Sequence, residues 1–437
     1  MRAGWRVAGL GIFAAAAVSA PVADAGIDQR LQQLEQQNQA LQQKLQQQQT
    51  LIEDLSRKLS DLNDKGPEAS SPEPARSMPS LGQLRLSAEG GVGVFHTSGT
   101  GRYNHGEFRV DEAKVFLEAP LWENQVFAFA ELDLFTRERQ VANPQDDNFH
   151  LGELYVDFEG VSRLWNRPGM LGIRVGRIDI PFGEEYITRD VIDNPLISHS
   201  LSDIWGVDEG IEMYGKLGPV DYVFAVQNGG HPTLADFNRD KSVTARLGWN
   251  PTSWLRVSGS AMRTGDLDVA NDKMSELWFG NGFIRGIGAG ATLFEATVFE
   301  GDIQAFWKTG HFKAAGGKID YSDNAPASAK SDRDVYYYFA EVKQQVPDLT
   351  KLYGAARFSQ IFADSGFPIV GHGNFGPLFF TPSLMTDQMW RASVGTGYTF
   401  SENLSVKLEY TLEERRFISS PNNTKTHFFA AEVGFKF

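Results

Sequence analysis

The chain has 437 residues, a formal net charge of −14, 12% aromatic residues, 44 glycines and no cysteine. The acidic balance argues against nucleic acid as a partner, and the lack of thiols excludes a disulfide framework, cysteine-based metal sites and covalently attached haem. Length alone allows two or three ordinary domains, or one large barrel with an appendage.

Residues 1–25 carry Arg2 and Arg6, an apolar run from Val7 to Val18, and Ala23-Asp24-Ala25 as a small-residue cleavage site, which is the pattern of a secretory signal peptide. Across 26–62, Ile27, Leu31, Leu34, Asn38, Leu41 and Leu45 are spaced alternately four and three residues apart, and the spacing continues through Gln48 to Leu62. That seam predicts an α-helical coiled coil with polar register positions at Asn38 and Gln48, and therefore self-association. Residues 63–82 hold four prolines and little that is apolar, so they read as a linker.

From residue 83 onward polarity alternates in short runs. The end of the chain, His427 to Phe437, is typical: Phe429, Ala431, Val433, Phe435 and Phe437 share one face, and Glu432 and Lys436 lie on the other. An apolar face backed by an ionised one suits a membrane barrel with lipid outside and water inside. Mean hydropathy, −0.31, hides such strands because they alternate. Short links are expected near 121–124, 218–219, 250–253, 300–302, 346–350 and 401–403, with a somewhat longer one near 160–168. They take turns with long links near 97–106, 137–148, 180–208, 229–240, 264–287, 316–333, 364–387 and 416–424. Short turns on one side and long loops on the other predict an all-β transmembrane barrel of about sixteen antiparallel strands over 83–437, behind a periplasmic coiled coil. Trp249, Trp254, Tyr398, Phe400 and Phe437 fall near turns, where an interfacial aromatic girdle belongs.

Two stretches resemble the phosphate-selective porin O and P family: FRVDEAKVFLEAPLWENQVFAFAELDL from Phe108 to Leu134, and VGRIDIPFGEE from Val175 to Glu185. The resemblance implies a homotrimer of sixteen-stranded barrels in the outer membrane of a Gram-negative bacterium, with an inward-folded third long loop, a cationic pore, and anions such as phosphate as cargo. The third long loop, 180–208, is the expected constriction. It carries Glu184, Glu185, Asp190 and Asp193 against one basic residue, Arg189, with Asp203 and Asp208 further on, and so departs from a cationic constriction.

On the alternating pattern the expected pore-lining bases are Arg174, Arg246, Arg256, Arg357, Arg391 and Lys407, and the expected pore-lining acids are Glu131, Asp133, Glu153 and Asp157. The acids fall on two neighbouring early strands and the paired arginines on later ones, which predicts a field across the bore. No catalytic, cofactor or metal site is expected: the eight histidines are dispersed, and no Walker or G-x-S-x-G motif occurs. Passive diffusion of small solutes is the leading reading. The alternative is an outer-membrane anchor whose coiled coil tethers the barrel to the cell wall.

Overall fold

The computed structural model divides the chain into two units, Met1–Met78 and Pro79–Phe437. It describes residues 84–98, 103–122, 125–135, 150–201, 204, 206–229, 239–268, 293–324, 332–367, 386–417 and 423–437. The expected signal peptide, coiled coil and linker lie outside the described residues, as does Asp203 of the expected constriction.

Among the described residues sixteen strands are joined in order: β1 (Arg85–Thr97), β2 (Glu107–Trp122), β3 (Val126–Phe135), β4 (His150–Phe158), β5 (Gly172–Asp179), β6 (Val207–Leu217), β7 (Val220–Gln227) and β8 (Ser242–Thr252). Then come β9 (Leu255–Arg263), β10 (Leu293–Trp307), β11 (Gly310–Asp323), β12 (Arg333–Val346), β13 (Leu349–Phe367), β14 (Thr386–Ser401), β15 (Leu404–Phe417) and β16 (Thr424–Lys436). The two-residue stretch Leu267–Asp268 prolongs β9 along β10. Each strand pairs antiparallel with its neighbour in sequence, and β16 returns to β1, from Glu89 opposite Lys436 to Thr97 opposite Phe428. Ala88 and Phe437 exchange backbone hydrogen bonds of 2.9 and 3.0 Å at the seam. Closure leaves no unpaired strand edge.

The barrel is apolar outside and polar inside, the inverse of a soluble one. On β14–β16 Val394, Leu408, Phe429 and Val433 are exposed, while Arg391, Lys407, Glu409 and Glu432 are buried. Trp122, Trp165, Trp249, Trp254, Trp307 and Phe400 stay exposed near the short-turn ends, where an aromatic girdle is expected.

Three links differ from the sequence expectation. Glu300-Gly301-Asp302 is not a turn but the middle of β10, which runs on to a tight hairpin at Lys308-Thr309. Gly and Asp there read as turn residues, yet they keep the alternation: Phe299 and Ile303 are exposed outward, and Asp302 and Gln304 are buried inward. The following long link consequently shrinks from 316–333, because β11 continues to Asp323 and β12 starts at Arg333. Asp208 lies in β6 rather than in the preceding loop, and it is buried.

Candidate functional site

Between β5 and β6, residues 180–201 fold back against the inner wall. Its entry is set by Gly183, at φ +69, a backbone shape that favours glycine. A Cβ there would run into a Glu300 carboxylate oxygen. The Gly183 N–H donates to Ser260 Oγ at 3.0 Å and its carbonyl accepts from Arg246 at 2.8 Å. Past a short 3-10 turn, Glu185–Thr188, Lys313 donates to Thr188 Oγ1 at 2.9 Å.

The second half of this loop is bound by β12–β15. Glu409 accepts from the N–H groups of Ile197 and Ser198 at 2.5 and 2.9 Å and from Ser198 Oγ at 2.5 Å. Arg357 pairs with Glu341 and donates to the Ser198 carbonyl at 2.6 Å and Asn194 Oδ1 at 2.8 Å. Arg391 pairs with Glu413 at 2.7 Å and donates to the His199 carbonyl at 2.8 Å. Lys407 donates to the Val191 and Leu196 carbonyls and faces Glu432. Four charged side chains thus replace the water that a loop backbone would otherwise need.

Inward glycines make room for the loop's apolar side chains. A Cβ at Gly434 would lie 2.6 Å from Val191, and one at Gly395 would lie 2.7 Å from Leu196. Toward the long-loop end, Ile180, Phe182, Ile197, Leu201 and Ile204 join one buried cluster with Val298, Tyr337, Ile361, Met389 and Phe428 of the wall. Packed apolar side chains therefore cover the inner face of β10–β14 and β16 there.

Strands β2–β5 are different. Between their inner face and the loop lies a cavity of about 180 Å³. Glu131, Asp133 and Glu153 line it from the wall, joined by Asp179, Lys114 and the loop residues Arg189 and Asp190. Lys114 is shared among Glu112 at 3.1 Å, Asp190 at 3.2 Å and Glu131 at 3.8 Å. Burial alone would raise the Asp190 carboxyl; the nearby Lys114 and Arg189 outweigh it and hold it below its ordinary value. Phe116 and Phe129 form part of the same wall, with ring centroids 6.2 Å apart and nearly parallel. Tyr155 extends the stack at 5.0 Å from Phe129. Arg174 caps it, 5.1 Å from the Tyr155 ring and 4.6 Å from that of Tyr214.

The sequence-selected residues separate accordingly. Glu131, Asp133 and Glu153 meet in the cavity, whereas Asp157 pairs with Arg174 at 2.7 Å. Glu184 is buried beside Arg256, 2.7 Å away, which also forks onto Asp221. Glu185 accepts from the N–H and hydroxyl of Ser200 within the loop. Asp193 is exposed. The expected basic wall is not a bare one: Arg246, Arg256, Arg357, Arg391 and Lys407 each meet a carboxylate, and all but Arg256 also bind loop carbonyls. Opposite charges interleave on adjacent strands because a buried cation left unpaired is costly.

Sequence reasoning missed the inward aromatics, although the signal was present: Phe116 lies two residues from both Lys114 and Glu118, and Phe129 two from Glu131, on the charged face. It also missed the glycine sockets, which depend on a loop far away in sequence. Elsewhere, Asp240, Asp266 and Glu295 converge within 4.8 Å. Arg263 forks onto Asp240 and Glu295 there, which supplies the counter-charge without a metal.

No family model matches this chain, and no curated protein matches it. Solved structures do. The outer membrane channel DcaP of Acinetobacter baumannii superposes with a TM-score of 0.52 at 11% identity, over 82% of this chain and 99% of that one. OmpT, an outer membrane protein of Vibrio cholerae described in a trimer form, gives 0.51 at 8% identity, over 81% and 99%. The chain has the closed antiparallel barrel fold of these two outer-membrane proteins. At such identities the likeness is one of fold, and the phosphate-selective family remains a resemblance of two stretches.

Proposed function

We propose that the protein is an outer-membrane channel for passive diffusion of small hydrophilic solutes, with short turns toward the periplasm and long loops outward. The observation that carries this reading is the inverted barrel: exposed aliphatic and aromatic side chains around the outside, buried and half-buried charges inside. Only a bilayer covers such a skin, and a sixteen-stranded barrel is wide enough to keep an aqueous path. Residues 180–201 act as the constriction. The solute path runs past Glu131, Glu153 and Arg174 on the β2–β6 side, because the later strands are occupied by the loop. Assembly as a homotrimer is part of the proposal, in keeping with the trimer form described for OmpT.

Anions such as phosphate, the cargo implied by the resemblance, would need cations facing the path. Arg174, Lys114 and Arg189 are the residues that favour them. Carboxylates outnumber these in the cavity, so the selectivity proposed here is for small cations over anions. Planar-bilayer recording of the purified protein in a KCl gradient tests both levels. Steady current with a reversal potential near that of potassium supports the reading. No steady current overturns the channel, and a chloride-like reversal potential overturns the selectivity.

A further inference from the structure

The cavity beside β2–β5 combines features that a merely hydrated wall does not need. Phe116 and Phe129 occupy inward positions between charged neighbours and are half-buried, so their rings present apolar surface to a chamber otherwise lined by ionisable groups. Leaving apolar area wet is unfavourable, and the only other large apolar or aromatic side chains lining the chamber from the loop side are Ile180 and Tyr186. Five carboxyl groups, on Glu131, Asp133, Glu153, Asp179 and Asp190, face two cations, on Lys114 and Arg189. Lys114 is already divided among three carboxylates. A guest that fits has a positive head for the carboxylates and a flat apolar body for the rings.

We propose that this cavity is a binding subsite for small organic cations with a flat apolar body, such as an arylalkyl ammonium ion, on their way through the bore. The protein repeats that arrangement with its own groups a strand away, where the Arg174 guanidinium lies over Tyr155 and Tyr214 while pairing with Asp157 and Glu212. Phe116 and Phe129 continue the same stack into the cavity, where no protein cation sits over either ring among the described contacts. A cation held there gains both ring-face attraction and carboxylate contact. The volume, about 180 Å³, suits a ligand smaller than a drug-sized molecule.

This inference rests on the channel reading, and the experiment separates the two. Single channels are recorded in KCl while benzylammonium, methylammonium or phenylacetate is added. Benzylammonium is expected to block current at a concentration about tenfold lower than methylammonium, and phenylacetate is expected not to block. In Phe116→Ala/Phe129→Ala the advantage of benzylammonium over methylammonium disappears, and in Phe116→Leu/Phe129→Leu it is reduced but not lost. Glu153→Gln/Asp179→Asn weakens block by both cations. Far-UV circular dichroism confirms barrel formation for each variant. Equal block by the two ammonium ions, or equal block by phenylacetate, overturns the subsite while leaving the channel intact. If plain KCl gives no steady current, the channel reading falls, and calorimetric titration of the detergent-solubilised protein with benzylammonium decides the subsite alone: saturable binding lost in the double alanine variant supports it, and no binding overturns it.

Discussion

Strands β2–β5 and β12–β15 both turn charged side chains into the same bore, yet the charges have opposite fates. The side chains of Arg357, Arg391 and Lys407 are 5%, 3% and 1% exposed, whereas that of Arg174 is 33% exposed and that of Glu131 is 15%. The later strands use their charges to hold a loop, with each guanidinium or ammonium satisfied by a carboxylate and a carbonyl. The earlier strands leave theirs around a cavity. An inward charge in a barrel is thus as much a scaffold element as a selectivity element, and loop packing decides which.

Several variants would break or sharpen this contrast. The largest effect is expected for Arg357→Ala, which leaves the buried Glu341 with only His311 beside it and removes one donor from each of two loop acceptors; the loss should be about 3–5 kcal/mol in chemical unfolding of the detergent-solubilised protein. A loss under about 1 kcal/mol would mean that the loop is not held there. Gly434→Leu fills the socket of Val191 and should cost about 1–3 kcal/mol through overpacking, with increased single-channel conductance as the loop is pushed off the wall. Arg256→Gln uncovers Glu184 and Asp221 and is expected to move the reversal potential toward that of the cation, with a stability loss of about 1–3 kcal/mol because Glu184 is buried.

The smallest effect is expected for Arg263→Ala, at most about 1 kcal/mol because this fork is open to solvent. Its pH dependence is distinctive. Hydrogen bonds from Arg263 hold the Asp240 carboxyl at about 2, below the roughly 3.9 of an unfolded chain. A depressed carboxyl stabilises fully above the unfolded value and loses that contribution as pH falls through about 2. The cost of Arg263→Ala should therefore be the same at pH 8 and pH 5, as unfolding curves at the two values would verify.

Much of the barrel was legible because strand alternation is local: the face of Glu432 follows from Phe429, Val433 and Phe435 alone. The hairpin at Lys308-Thr309 was not, because Gly301 and Asp302 imitate a turn while staying in phase. The faces of Arg357 and Arg391 could be read, but not their burial, since their loop partners are the Ser198 and His199 carbonyls and the Asn194 side chain, far away in sequence. Acid clustering on β3 and β4 was likewise readable from spacing. The aromatic stack from Phe116 to Tyr155 needed the register of three strands.

Because the chain has no cysteine, single-cysteine variants test the central claim directly. In protein reconstituted into liposomes, a small charged thiol reagent is applied to Ser393→Cys, beneath the loop, and to Glu153→Cys, in the cavity, with Leu408→Cys on the outer face as the lipid-facing control. The expected result is fast labelling of Glu153→Cys, slow labelling of Ser393→Cys, and none of Leu408→Cys. Equal rates at Ser393→Cys and Glu153→Cys would contradict a bore whose later half is covered by residues 180–201, and fast labelling of Leu408→Cys would contradict the barrel's placement in lipid.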